Sequence, residues 1–129
     1  RYRYKVEAGA DFVVTQPVFD PEALERFLER TRDVRVPIIA GIWPFLNVRN
    51  AEFLSNEVPG VVVPGTFVER MRVAETGGPD AALEEGVLIA LEMIEAVRPH
   101  VQGFHLSAPS RRVDVALRVL REARVSATA

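Results

Sequence analysis

Gly9-Ala10-Asp11-Phe12-Val13-Val14-Thr15-Gln16-Pro17-Val18-Phe19-Asp20-Pro21-Glu22 decides how this chain folds. Phe12 to Gln16 is a short run of aromatic and β-branched residues bounded by turn signals, which predicts a buried strand. Gly9 suits the stop of a helix over residues 1–8, because a left-handed backbone is cheap only for glycine. Asp20 offers a carboxylate to free N–H groups, and Pro21 fits the first helical position, where its missing N–H is not needed. A helix therefore follows the strand. Leu24, Phe27 and Leu28 mark its buried side, and the pattern ends near Arg32.

The same alternation continues outward. Val36 to Ile42 reads as a second buried strand, followed by a Trp43-Pro44-Phe45 loop. Asn47 can cap a short helix carrying Ala51, Phe53 and Leu54. Pro59, Gly60, Pro64 and Gly65 make 56–65 a loop, with a short helix around 66–73. Gly77-Gly78-Pro79 breaks the chain. The longest helix runs from Pro79 to Val97, with Leu83, Gly86, Ala90, Met93 and Val97 as its apolar stripe. Gly103 to Ser107 is the third strand. Ser110 caps a last helix with Val113, Ala116, Leu117 and Leu120 inward, and residues 125–129 are a tail. Long helical crossovers make the strands parallel and the crossovers right-handed. The fold class is α/β. Three parallel strands cannot close a barrel, but they fit the last three βα units of a (β/α)8 TIM barrel, a partial barrel. Residues 1–129 then form the C-terminal portion of a barrel domain. The first periodic pattern is already under way at Arg1, which reads as a segment of a longer polypeptide.

Composition narrows the chemistry. Hydrophobic residues make up 48% and charged residues 26% of the 129 positions, a globular balance. The net charge of −2 leaves no basic field for a phosphate backbone, so nucleic acid is not expected as a partner. The absence of cysteine excludes disulfides, thiolate catalysis and cysteine-based zinc sites. Apolar runs fall far short of the roughly 20 residues of a membrane helix and none reads as a signal peptide, so the expected compartment is the cytoplasm. His100 and His105 lack a supporting carboxylate cluster, so no metal is expected. No P-loop, Rossmann glycine fingerprint or Ser-His-Asp arrangement occurs.

In a parallel α/β protein the site lies at the C-terminal ends of the strands. Gln16 stands at the first such end, with an amide able to donate and accept toward a heterocycle; a loop glutamine bonding nearby backbone is the alternative. Arg111 follows the third strand and can hold a carboxylate in bidentate fashion, or be a surface arginine at a helix start. Asn50, one turn into the helix after the second strand, is a site residue or a solvated helix asparagine. Trp43 can stack on a ring or serve as core or lid. His105 reads as a satisfied structural histidine whose side chain points opposite to Phe104 and Leu106.

Three stretches carry a family resemblance. Lys5-Val6-Glu7-Ala8-Gly9-Ala10 through Thr15-Gln16, closed by Phe19-Asp20, strongly resembles the methylenetetrahydrofolate reductases. Pro37-Ile38-Ile39-Ala40-Gly41-Ile42-Trp43-Pro44 is similar to the next strand of that family, and Gly103-Phe104-His105-Leu106 with Arg111 is similar to the last. The three stretches occur in the family's order and span nearly the whole chain. Arg49 to Leu54, with Asn56-Glu57-Val58-Pro59-Gly60, resembles a branch in which the reductase follows a homocysteine S-methyltransferase domain.

The resemblance implies a (β/α)8 barrel holding FAD at its C-terminal face. It implies reduction of 5,10-methylenetetrahydrofolate to 5-methyltetrahydrofolate with NAD(P)H, which feeds methionine synthesis. Carried over by position, Gln16, Asn50 and Arg111 are the folate-contacting residues, and Lys5 lies near the flavin phosphates. The family's general acid and most flavin contacts belong to barrel units outside this chain, so no catalytic residue is expected here and the chain alone is expected to be inactive. Partners are then the folate, the N-terminal part of the barrel, an attached methyltransferase domain and further copies of the protein. Leu54, Pro17-Val18 and Ser107-Ala108-Pro109-Ser110 depart from the family's wording, which alters the pocket wall. Two other readings compete: a different barrel enzyme for a small anionic substrate, and a non-catalytic module that stacks through open strand edges.

Overall fold

The computed structural model describes residues 1–128 and alternates helices with strands. In chain order these are α1 (Tyr2–Glu7), β1 (Val13–Pro17), α2 (Pro21–Arg30), β2 (Ile38–Ile42), α3 (Val48–Glu57), α4 (Gly65–Glu75), α5 (Pro79–Val97), β3 (Gly103–Leu106) and α6 (Val113–Thr128). Short 3-10 turns at Arg98–His100 and Pro109–Arg111 flank β3. The expected succession is present. The helix at Gly65–Glu75 is longer than its sequence pattern indicates, and α6 runs to Thr128 where a tail is expected.

The strands form one parallel sheet in the order β1-β2-β3. Consecutive strands are spatial neighbours, and their crossovers are helical. Val13, Ile38, Ala40, Ile42, Phe104 and Leu106 share one face and pack under α2, α5 and α6. Register pairs Val14 with Ile39, and Gly41 with His105, on the opposite face. Among the described residues that face has no helical cover: Val14 is 48% exposed, and Gln16 and His105 are exposed. Helices on one face only are the arrangement of a barrel wall, not of a doubly wound sheet. The architecture is thus mixed α/β with a three-stranded parallel sheet, compatible with a partial TIM barrel.

Burial corrects several expectations. Only β2 is buried nearly throughout. β1 alternates between half-buried and exposed, and Phe12 before it is 59% exposed, because a three-stranded sheet leaves two edges and an open face. β2 begins at Ile38 rather than Val36; Pro37 has no N–H to donate, and its carbonyl accepts from Val13. On α5 the buried surface is wider than one stripe. Ala82, Val87, Ile89 and Ile94 join Gly86, Ala90, Met93 and Val97, while Leu83 is only half-buried. The reason is that α5 packs on α4 and on α6, so two of its sides are covered. On α6 the inward residues are Val115, Val119 and Ala123. Val113, Leu117 and Leu120, expected inward, are exposed, and Ala116 is half-buried. Ser110 does not cap α6: it sits at φ 52° inside the preceding 3-10 turn, and the helix starts three residues later on a different phase.

The caps on α2 and α3 are as the sequence requires. The Asp20 carboxylate accepts from Ala23 N at 3.2 Å, with Pro21 in the first turn. Asp20→Ala is expected to cost about 1 kcal/mol, read as a lower urea midpoint at unchanged slope. Beneath the C-terminal ends of the strands, Phe45 is fully buried and stacks on Phe19 with ring centroids 4.9 Å apart. Leu54, Met71 and Ile89 belong to the same cluster, which packs the loop after β2 against α5.

Candidate functional site

Two structural facts shape the C-terminal end of the sheet. β1 is irregular between Val14 and Pro17, so that Pro17 rather than Gln16 comes level with Gly41. Thr15 supports this kink: its hydroxyl accepts from Gly41 N at 2.9 Å and donates to the Gln16 carbonyl at 2.7 Å. Gly41 makes the kink possible. A Cβ there would lie 2.8 Å from the Thr15 carbonyl oxygen and 3.1 Å from that of Gln16, closer than the β1 backbone permits.

The kink leaves Gln16 exposed between two recesses. One, of about 340 Å³, is lined by Gln16, Gly41, Trp43, Leu54, His105 and Ser107, among others. The other, of about 280 Å³, runs past Gln16 toward Phe19, Asp20, Gly60 and Val62. The Gln16 side chain makes no hydrogen bond among the described residues, so its donors and acceptor are open to a ligand. This placement favours the site reading of Gln16 over the loop-backbone alternative.

Asn50 has a different occupation. Its Oδ1 accepts from the Trp43 indole N–H at 3.0 Å and from Leu46 N at 3.3 Å, while its own N–H is capped by Asn47 at 2.8 Å. The oxygen is therefore committed to holding the pocket wall, and only Nδ2 is left for a ligand. Asn50→Ala is expected to cost about 1–3 kcal/mol, since Trp43 and Leu46 lose their acceptor, whereas Asn50→Asp keeps the acceptor and most of that stability. Thermal melts of the two variants separate this anchoring role from a purely ligand-binding one.

Arg111 lies beyond β3 at the same end of the sheet, exposed and without a side-chain hydrogen bond or ion pair among the described residues. It and Ser110 hold φ of 62° and 52°, a left-handed pair of non-glycine residues. Arg111 does not line the Gln16 recess. Lys5 is farther still. It sits in the last turn of α1, whose Tyr2 and Arg3 bind residues 30–34 ahead of β2, at the N-terminal end of the sheet. The structure thus brings Gln16 and Trp43 to one recess, with Asn50 holding Trp43 but not itself lining that recess, leaves Arg111 at the rim, and does not gather Lys5.

Sequence reasoning understated His105 and assigned no individual role to Thr15 or Ser107. His105, expected as a satisfied structural residue, is exposed on the open face and makes no hydrogen bond among the described residues. The strand alternation that turns it away from Phe104 was the available signal. Carboxylates held below their ordinary range lie elsewhere: hydrogen bonds from Arg118 lower Glu84, and hydrogen bonds from Arg3 lower Asp33. A larger recess, about 570 Å³, lies at the other end of the strands beside Glu25, His100 and Gln102. Among the described residues no group of three or more metal-binding side chains occurs, and no helix is long and apolar enough to cross a membrane.

The pattern of the family described as methylenetetrahydrofolate reductase matches residues 1–121. The chain belongs to that family. It is 32% identical over 124 residues to methylenetetrahydrofolate reductase 2 of Schizosaccharomyces pombe, covering 88% of this chain and 19% of that protein. It is 28% identical to methylenetetrahydrofolate reductase (NADH) 1 of Arabidopsis thaliana, over 79% of this chain and 17% of the relative. It is 29% identical to 5,10-methylenetetrahydrofolate reductase of Pectobacterium carotovorum, over 84% of this chain and 37% of the relative. The chain therefore spans about a fifth of the two eukaryotic reductases and about a third of the bacterial one.

A flavin would need a cation for its diphosphate and a wall for its ring. No Lys or Arg lines the two recesses beside Gln16, and Lys5 stands at the other end of β1. The described residues do not fit FAD by themselves.

Proposed function

We propose that residues 1–129 are the last three βα units of the (β/α)8 barrel of a methylenetetrahydrofolate reductase, and that their task is to bind and orient the folate. The observation that carries this reading is the unpartnered Gln16 amide at the C-terminal end of β1, within a segment that matches the family from residue 1 to 121. Gln16 hydrogen-bonds the polar edge of the pterin. Asn50 fixes Trp43 as the pocket wall and offers its Nδ2 to the ligand. Arg111 meets a carboxylate of the folate's glutamate at the rim, where its guanidinium has no protein partner among the described residues.

In this reading the whole protein reduces 5,10-methylenetetrahydrofolate to 5-methyltetrahydrofolate with NAD(P)H, in the cytoplasm and toward methionine synthesis. FAD, the cofactor, would supply hydride transfer when bound, and its contacts would come from the rest of the barrel. The three units alone are inactive. A homocysteine S-methyltransferase domain in the same polypeptide and a homo-oligomeric state belong to the same proposal.

The visible spectrum of the full-length polypeptide tests it. Flavin bands bleached by NAD(P)H and restored by methylenetetrahydrofolate are the expected result. A colourless protein that cannot be reconstituted with FAD overturns the reading and returns the choice to another barrel enzyme or a stacking module.

A further inference from the structure

We infer that His105 is a second hydrogen-bonding residue for the heterocycle that Gln16 binds, an inference that rests on the reductase reading above. Register places His105 level with Gly41, and Gly41 is in turn level with Pro17, next to Gln16. β1 and β3 are the two neighbours of β2, so Gln16 and His105 stand on either side of a strand that has no side chain at this level. Two strand spacings separate β1 from β3, about 10 Å. That gap is the width of a flat bicyclic ring with a hydrogen bond at each edge. Both side chains line the same recess of about 340 Å³, and Ser107 continues the polar wall one alternate position beyond His105.

His105 is otherwise hard to account for. It is exposed on the face that carries no helix, it makes no hydrogen bond or ion pair among the described residues, and its neighbours Phe104 and Leu106 do the packing on the other face. A histidine needed only for the sheet would be satisfied by a neighbour, as His100 is by Glu25 at 3.1 Å. Imidazole presents one donor and one acceptor in the ring plane, which matches the alternating N–H and C=O groups of a pterin edge.

The test uses the full-length protein and two variants, His105→Leu and His105→Gln. Calorimetric binding of 5-methyltetrahydrofolate and the KM for methylenetetrahydrofolate are measured beside NAD(P)H oxidation with an artificial acceptor. Loss of one hydrogen bond predicts about tenfold weaker folate binding for His105→Leu. His105→Gln, which keeps a donor and an acceptor, recovers most of the affinity. NAD(P)H oxidation with the artificial acceptor stays within about twofold in both, as expected for a contact to the folate alone. Unchanged folate binding in His105→Leu overturns the inference while leaving the reductase reading intact. Equal losses in both variants and both assays also overturn it, since that marks a purely structural histidine. A wild-type protein that binds no folate overturns the reductase reading together with this inference.

Discussion

Gly86→Ala is expected to destabilise the protein by about 2 kcal/mol, although alanine is the better helix former by about 1 kcal/mol. Gly86 lies within α5, where the helix meets the loop after β2. A Cβ at this position would overlap the Phe45 carbonyl oxygen, and it would come within 2.7 Å of the carbonyl carbon and 3.2 Å of Cα. The obstacle is backbone, not the end of a flexible side chain. It cannot retreat, because the Phe45 ring is fully buried against Phe19. Relief therefore requires α5 to move away from the sheet, which opens the packing of Leu54, Met71 and Ile89. Larger residues make the effect worse, and Gly86→Leu is expected not to fold. Gly65→Ala provides the control. Gly65 opens α4 with nothing within 4 Å of its would-be Cβ and φ outside the left-handed region, so alanine there is neutral or stabilising by about 0.5 kcal/mol. Urea midpoints of opposite sign are the expected outcome. A stable Gly86→Ala would show that the Phe45 loop yields.

The contrast between these two glycines shows where sequence reading stops. Gly86 falls on an apolar stripe with a regular three-and-four spacing, so its inward placement is legible. That it meets a carbonyl from another segment is not, because no local pattern records which loop crosses the helix. The same limit explains α6. Val113, Leu117 and Leu120 form as good a stripe as Val115, Val119 and Ala123, and the choice between them depends on the left-handed turn at Ser110 and Arg111. Element order, by contrast, follows from short β-branched runs and from caps such as Asp20 and Asn47, whose partners are three residues away. The site divides along the same line. The placement of Gln16 at the C-terminal end of β1 was legible because strand-end position is a topological property. The commitment of the Asn50 oxygen to Trp43, seven residues earlier, depends on how a loop folds back and has no signature in residue types.

In the full-length polypeptide, on the reductase reading proposed above, Gln16→Leu is expected to lower kcat/KM for methylenetetrahydrofolate by about 10- to 100-fold, as loss of one or two hydrogen bonds to a polar ring edge requires. Leucine is close to glutamine in volume, so the recess keeps its shape while the donors and acceptor vanish. Gln16 is exposed and unpartnered among the described residues, so the fold does not depend on its amide. Stability is accordingly expected to stay within about 0.5 kcal/mol of the parent. NAD(P)H oxidation with an artificial acceptor is expected to remain within about twofold, because that reaction does not use the folate. Gln16→Glu sharpens the comparison: it keeps an acceptor but introduces charge and removes both amide donors, so an outcome close to Gln16→Leu assigns the interaction to donation from Gln16. A uniform loss in both assays would mean that Gln16 supports the β1 kink through more than its backbone carbonyl. No loss in either would place the folate elsewhere on the barrel, and with it the function of the open face between β1 and β3.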